Sequence, residues 1–263
     1  MKVHVLLENT TSRNDLAAEH GLSLLIEMTD MTILFDTGAT SAFAANATRM
    51  GKELRDVDIA VLSHGHYDHG GGLATFLNIN HHAKVYISPH AFTPHFNARG
   101  KDIGLAPHLS ASEQMYPVTS SPFIIRKGAV IHSAEELPLL YPPPASGMTS
   151  IINGERVDDD FRHEQYLMLE ENGRRVLISG CSHKGILNLC AHFRPDVLIG
   201  GFHLMTIDPL TQEHLLARTA ELLNRFPTQF YTGHCTGEAA TAYLQEKMGN
   251  RLQSFSTGTV IEL

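Results

Sequence analysis

Apolar positions in this chain of 263 residues come in short runs rather than long helical stripes. Val3 to Glu8 reads as a first strand, and Leu22-Ser23-Leu24-Leu25-Ile26-Glu27 with Met31-Thr32-Ile33-Leu34-Phe35 reads as a hairpin turning near Thr29-Asp30. The small-residue stretch up to Met50 suits a helix. Val57 to Leu62 suits a buried strand, Leu73 to Leu77 a short helix, and Lys84 to Ser88 another strand. From Pro89 to about Pro144 the pattern weakens into prolines and isolated histidines. Residues 89–165 are therefore expected to be a partly irregular insertion, with a strand pair at Phe123–Arg126 and Ala129–His132, passing over the site as a cap. Long irregular segments in compact domains are usually functional or disordered, so substrate choice is expected to lie there.

Regular patterning returns with Tyr166–Glu171, the turn Asn172-Gly173 and Arg174–Ile178, and Asn-Gly between two such runs is a strong hairpin signal. Ser179-Gly180-Cys181-Ser182-His183 follows, then a helix from Ile186 to Phe193 and a strand from Pro195 to Ile199 that leads into Gly200-Gly201-Phe202-His203. Hairpin, small-residue turn, helix, strand, histidine: the first half of the chain has the same order. Such a duplication predicts two sheets packed face to face with helices outside, and a site at one sheet edge where both halves deliver loops. The tail adds a helix at Thr211–Phe226, a strand at Gln229–Thr232, the loop Gly233-His234-Cys235-Thr236-Gly237, a helix at Glu238–Met248 and a last strand at Gly258–Leu263. No linker divides the chain, so residues 1–263 are expected to form a single α/β domain, a four-layer αββα sandwich with a cap-like insertion.

The chemistry concentrates in Ser63-His64-Gly65-His66-Tyr67-Asp68-His69-Gly70-Gly71-Gly72, directly after a strand. On a loop, His64 and His66 can share one ion while Asp68 and His69 turn toward a second position. Imidazole nitrogen together with carboxylate oxygen suits zinc, iron or manganese better than calcium or magnesium. A formal charge of -8 with scattered lysines and arginines argues against nucleic acid as the main partner. The apolar run at the N-terminus is too short for a signal peptide, and nothing approaches the ~20 apolar residues of a membrane span. Cys181, Cys190 and Cys235 form no CxxC array, which fits a reducing, cytoplasmic compartment rather than a disulfide framework.

The H-x-H-x-D-H cluster, the upstream Phe35-Asp36-Thr37-Gly38 and the late Thr232-Gly233-His234 resemble the metallo-β-lactamase superfamily, whose fold is the αββα sandwich. More narrowly, Gly180-Cys181-Ser182-His183-Lys184-Gly185-Ile186, Gly200-Gly201-Phe202-His203-Leu204 and Gly233-His234-Cys235-Thr236-Gly237 are similar to its dihydropterin–ribofuranosylaminobenzene-phosphate synthase subgroup and related metal-dependent hydrolases. The resemblance covers most of the chain outside the insertion. It implies two divalent transition-metal ions, zinc first, with His64 and His66 on one, and Asp68, His69 and His234 on the other. His183, after a strand end that the duplication places near the site, is chosen to complete the first ion. Where the superfamily usually has a bridging aspartate, Cys181 stands, either as a soft ligand or as a buried structural thiol.

Asp36 is expected to hold the ligand loop by accepting a hydrogen bond from a metal-bound imidazole or a backbone amide, or else to be a plain turn or cap residue. His203 is expected to touch metal or substrate, or to be an ordinary histidine at a strand end. His90, His95, His108, His132 and His163 each read as surface residues, His81-His82 as a solvated loop, and Cys190 as core. The expected activity is hydrolysis of a small anionic, possibly phosphorylated, substrate by activated water, with Asp68 orienting the nucleophile. A pterin-related synthase or transferase, and a non-catalytic metal-binding protein on the same scaffold, are the alternatives.

Overall fold

The computed structural model describes all 263 residues. Its first strands are β1 (Lys2–Leu7), β2 (Ser23–Glu27), β3 (Thr32–Phe35), β4 (Ile59–Val61), β5 (Lys84–Ile87) and β6 (His95–Phe96). Next come β7 (Met115–Pro117), β8 (Phe123–Arg126), β9 (Ala129–Ser133), β10 (Thr149–Ile152), β11 (Glu155–Asp158) and β12 (Gln165–Glu171). The chain closes with β13 (Arg174–Ile178), β14 (Val197–Ile199), β15 (Gln229–Thr232), β16 (Leu252–Ser254) and β17 (Val260–Glu262). The helices are α1 (Ala42–Arg49), α2 (Tyr67–Gly70), α3 (Leu73–Ile79), α4 (Ile186–Phe193), α5 (Glu213–Leu223) and α6 (Glu238–Met248).

Two seven-stranded sheets run β17-β1-β2-β3-β4-β5-β7 and β16-β15-β14-β13-β12-β9-β8, and β11-β10-β6 form a small third. Each large sheet is built outward from an antiparallel hairpin, β2-β3 or β12-β13. Parallel strands then extend from it, β4, β5 and β7 in one sheet and β14, β15 and β16 in the other. Parallel neighbours need crossovers. Helices α1 and α3 supply the first two in the first sheet, where residues 88–114 make the third, and α4, α5 and α6 supply those in the second. The repeat visible in the sequence is thus a repeat of topology. At the tip of the second hairpin Asn172 and Gly173 have φ of 55° and 75°, the left-handed pair that a tight two-residue turn requires.

Alternation along the strands makes the four layers. Val3, Val5, Leu24, Ile26, Ile33 and Phe35 point one way and meet Leu167, Leu169, Val176, Ile178, Val197 and Ile199 between the sheets, in a cluster of 21 buried residues. Their neighbours point the other way. Leu25, Leu34, Ala60, Leu62 and Val85 pack under Phe43, Ala47, Leu73 and Phe76 of α1 and α3. Tyr166, Met168, Leu177, Leu198 and Phe230 pack under α4, α5 and α6. A strand with both faces buried reads as a continuous apolar run.

The insertion is not one unit. The expected strand pair forms, but β9 pairs with β12, so the pair extends the second sheet instead of lying across the site. Similarly, β7 extends the first sheet. The small sheet of β6, β10 and β11 has few fully buried apolar positions, which is why periodicity missed it. No helix is long and apolar enough to cross a membrane.

Candidate metal centre

Every expected site residue lies just beyond the C-terminal end of a parallel strand: Asp36 after β3, His64 after β4, Cys181 and His183 after β13, His203 after β14 and His234 after β15. Loops at the carboxyl ends of parallel strands are where α/β sheets build their sites. After β4 the chain bends at His64 and Gly65, is extended at His66, with φ -94° and ψ 147°, and then turns into α2. Asp68 and His69 therefore ride on one helical turn and not on a loop, with the His69 ring 4.1 Å from that of His64. The loop is pressed on neighbouring backbone, since a Cβ on Gly65 would lie 2.1 Å from the Ala91 carbonyl oxygen. Gln165 ties the two sheets together here: its backbone N–H donates to the Ser63 carbonyl at 2.7 Å and its side-chain amide to the carbonyls of Leu62 and Tyr86.

Hydrogen bonding fixes the ring tautomers. Asp36 accepts from the Ser63 N–H at 2.6 Å, the Ser63 hydroxyl at 2.7 Å and His69 Nδ1 at 2.7 Å. The Ser63 hydroxyl, having given its proton to Asp36, accepts from His64 Nδ1 at 2.8 Å. His234 Nδ1 faces Asn9 Oδ1 at 2.9 Å, and that oxygen also takes the Gly21 N–H. A neutral imidazole holding its proton on Nδ1 presents a bare lone pair at Nε2. Those lone pairs converge: His69 Nε2 is 3.1 Å from His234 Nε2 and 3.3 Å from Cys181 Sγ, and His64 Nε2 faces Nε2 of His183, a ring whose Nδ1 has no partner, at 3.4 Å. Ligands about 2.0 Å from a tetrahedral zinc stand roughly 3.3 Å apart. Lone pairs at this separation repel unless a proton or a cation lies between them, so the donor set fits a metal ion.

The charge balance agrees. Burial disfavours a charge on His69, yet Asp36 and Asp68 outweigh it and lift its pKa to about 9, so the carboxylates favour positive charge at this point. Burial, reinforced by neighbouring histidines, pushes His64 and His183 well below their ordinary value and keeps them neutral. Asp68 is opposed by burial, but His69, His20 and His234 hold its carboxyl well below the usual carboxylate range. Its Oδ2 lies 3.4 Å from His234 Nε2 and 3.2 Å from His20 Nε2.

The structure brings every one of the expected residues together. Donor atoms within 4.8 Å of one another form the groups His64/His66/His183, His64/His69/Cys181, Cys181/His183/His203 and Cys181/His234/Cys235. Four further contributors were not anticipated. His20 reaches Asp68 from the long β1–β2 connection, where no pattern marks it. Cys235 is buried beside Cys181, and its thiol reaches the Cys181 carbonyl. Glu8, buried at the end of β1, accepts the His234 N–H at 2.6 Å. Glu164, also buried, accepts the His183 N–H at 2.9 Å. A glutamate ending an apolar strand was the available signal for Glu8, and one opening an apolar strand for Glu164.

His90, His108 and His132 are partly or fully exposed as expected, but His95 and His163 are not surface residues: both are buried against His66. Isolated in sequence, they are collected by the small third sheet and the turn before β12. A cavity of about 150 Å³ opens onto the site, lined by His20, Tyr67, Asp68, Asn97, Met148 and His203 among others. A larger one, about 350 Å³, shares only His234 with the candidate ligands and lies between the segment that follows β1, Glu8 to Thr10, and α6.

A duplicated αββα sandwich with histidine and aspartate donors at one rim defines a class of protein. The family model described as Metallo-beta-lactamase superfamily matches residues 17–203, and the chain belongs to that superfamily, with its metal-dependent hydrolase fold. Among its relatives is the 7,8-dihydropterin-6-methyl-4-(beta-D-ribofuranosyl)-aminobenzene-5'-phosphate synthase of Methanocaldococcus jannaschii, 27% identical over 289 residues and covering 100% of this chain and 96% of that protein. An uncharacterized protein of the same organism is 28% identical over 252 residues, 93% of this chain and 94% of its own. Among solved structures, that of Tm1679, described as a metal-dependent hydrolase of the beta-lactamase superfamily, matches with a TM-score of 0.86 at 27% identity, covering 100% of this chain and 99% of that one.

Proposed function

We propose that this protein is a metal-dependent hydrolase of a small anionic substrate. His64, His66 and His183 take one ion, and Asp68, His69 and His234, with Cys181, take the second. The observation that carries this reading is the set of facing imidazole nitrogens, with the rings of His64, His69 and His234 each fixed inward by an outer acceptor. Imidazole, carboxylate and thiolate donors together favour zinc, with iron or manganese next. Ions held there supply Lewis acidity, which makes hydroxide available near neutral pH and stabilises negative charge on a leaving oxygen.

The remaining work falls to the chain. Asp68 borders the cavity and orients the attacking water, His20 holds Asp68 from the solvent side, and His203 stands where it can meet the substrate. Asn97 and Met148, both from the insertion, border the same cavity and shape what enters. A second reading, a pterin-related synthase, is favoured by the 27% identity to such a synthase across 100% of this chain.

The test is elemental analysis of protein purified without added metal, followed by assay of the zinc-loaded protein against phosphoesters, lactones and thioesters. One or two ions per chain, and turnover of one class that is lost in His66→Ala, are expected. Loaded protein inert across the panel overturns the hydrolase. Protection from heat denaturation by pterins or phosphoribosyl compounds then marks the second reading, and its absence leaves a non-catalytic metal-binding protein.

A further inference from the structure

The insertion carries a buried polar group of its own directly behind His66. Donor atoms of His66, His95, Asp159 and His163 all lie within 4.8 Å of one another, and all four residues are buried. Nε2 of His66, of His95 and of His163 has no hydrogen-bond partner. A buried polar atom left unpaired loses its hydration with nothing in return, and three in one place call for an explanation.

Counting protons supplies it. His163 Nδ1 accepts the Gly65 N–H at 2.9 Å, and a backbone amide can only donate, so the proton of a neutral His163 is on Nε2. That Nε2 faces the Asp159 carboxylate at 3.5 Å. His95 Nδ1 is 2.8 Å from the same carboxylate oxygen and must carry its proton there, which leaves His95 Nε2 bare. The other Asp159 oxygen is engaged by the Phe161 N–H at 2.8 Å, so the carboxylate is committed to holding these rings.

His66 belongs to both groups, with His64 and His183 in one and His95, Asp159 and His163 in the other. Its ring lies 5.5 Å from that of His95, nearly perpendicular at 77°. An imidazole that gives one nitrogen to an ion keeps its proton on the other, and that N–H needs an acceptor. Nε2 is the His66 nitrogen that is buried and has no partner, and the bare lone pair in the group it shares with the insertion belongs to His95.

We propose that His95, oriented by Asp159, is the acceptor for the His66 ring N–H once His66 holds an ion, and that His163 clamps the loop between the two ligands through Gly65. The insertion is then a set of positioning residues for the metal centre as well as a wall of the cavity. This inference rests on the reading that His66 is a metal ligand. The contact is open in the structure and closes on ion binding, as hydrogen bonds at such sites do when the bound state forms.

The test is zinc affinity by chelator competition, ion by ion, in wild type and in His95→Leu, His95→Gln and Asp159→Asn. The unfolding midpoint of each metal-free protein and the far-UV circular dichroism are measured alongside. Gln keeps an acceptor facing His66 and Leu does not. Loss of the acceptor is expected to weaken one ion about 10–100-fold while the other changes little, with Gln close to wild type and Asn between. Leu and Gln equal to wild type at both ions overturns the proposal, as does loss of both ions in step with a fall in metal-free stability in all three variants. A third equivalent of zinc in wild type that disappears in His95→Gln also overturns it, because the cluster is then an ion site itself. Wild type that binds no ion overturns instead the reading on which the inference rests.

Discussion

Asp36 shows how much one side chain can carry. It is buried with φ near 60°, a left-handed conformation that aspartate and asparagine tolerate better than most residues. It accepts from a backbone amide, a hydroxyl and an imidazole at once. Asp36→Ala strands three donors and should destabilise the metal-free protein by on the order of 3 kcal/mol in chemical unfolding. Asp36→Asn keeps the backbone and an acceptor oxygen and should cost clearly less. Cys181 permits a spectroscopic prediction. With its thiol 3.3 Å from His69 Nε2, the cobalt-substituted protein should show a thiolate-to-cobalt charge-transfer band that Cys181→Ala removes. A band that persists in that variant assigns the thiolate to Cys235. The role of Asp36 was open in the sequence because a turn aspartate and a triple acceptor are written with the same letter, and only the return of Ser63 and His69 to it decides.

At the scale of elements, the ligand stretch works because an extended His66 leads into a one-turn helix, and the glycine between His64 and His66 lets the loop lie on residue 91. Gly65→Ala puts a methyl group into the Ala91 carbonyl, and both flanking imidazoles must move with the backbone. We expect ion affinity to fall about tenfold or more, against a stability loss of about 1–3 kcal/mol, read from chelator competition and urea unfolding of the same preparation. Unchanged affinity would mean that Ala91 yields and the loop does not. The hairpins and crossover helices were legible because a period of two, Asn-Gly turns and terminal glycines are local signals. The small third sheet was not: β6 is two residues long and pairs with β10 some 50 residues further along the chain, and the β10–β11 hairpin, although it turns on Asn153-Gly154, has a fully exposed second strand and no apolar alternation.

For the whole molecule, the fold is expected to stand without bound metal. Apolar clusters of 21, 20 and 18 buried residues hold the layers together, and each large side chain buried contributes about 1.5–3 kcal/mol. Chelation should therefore leave the circular dichroism and a cooperative unfolding transition in place, and collapse on metal removal would show the ions to be structural. Acid should act through buried neutral histidines. Burial holds His163 at about 4, whereas an unfolded histidine titrates near 6.5. A base with a depressed pKa contributes stability that is intact above about pH 6.5 and declines as the pH falls toward 4, because the unfolded chain takes up the proton first. His163→Asn keeps an acceptor for Gly65 and cannot charge, so the difference between its unfolding midpoints at pH 7 and pH 5 should be smaller than in wild type.

The sequence by itself determined the layers, the duplication and the strand ends at which chemistry gathers, because each is written in neighbours two to four residues apart. Tertiary structure alone decided which lone histidines matter. His20, His95 and His163 carry no local pattern that separates them from His108, and they join the metal centre only because distant backbone folds them against it. Ring tautomers likewise depend on which carboxylate, hydroxyl or amide arrives at each nitrogen, and those partners come from as far as 225 residues away in the chain.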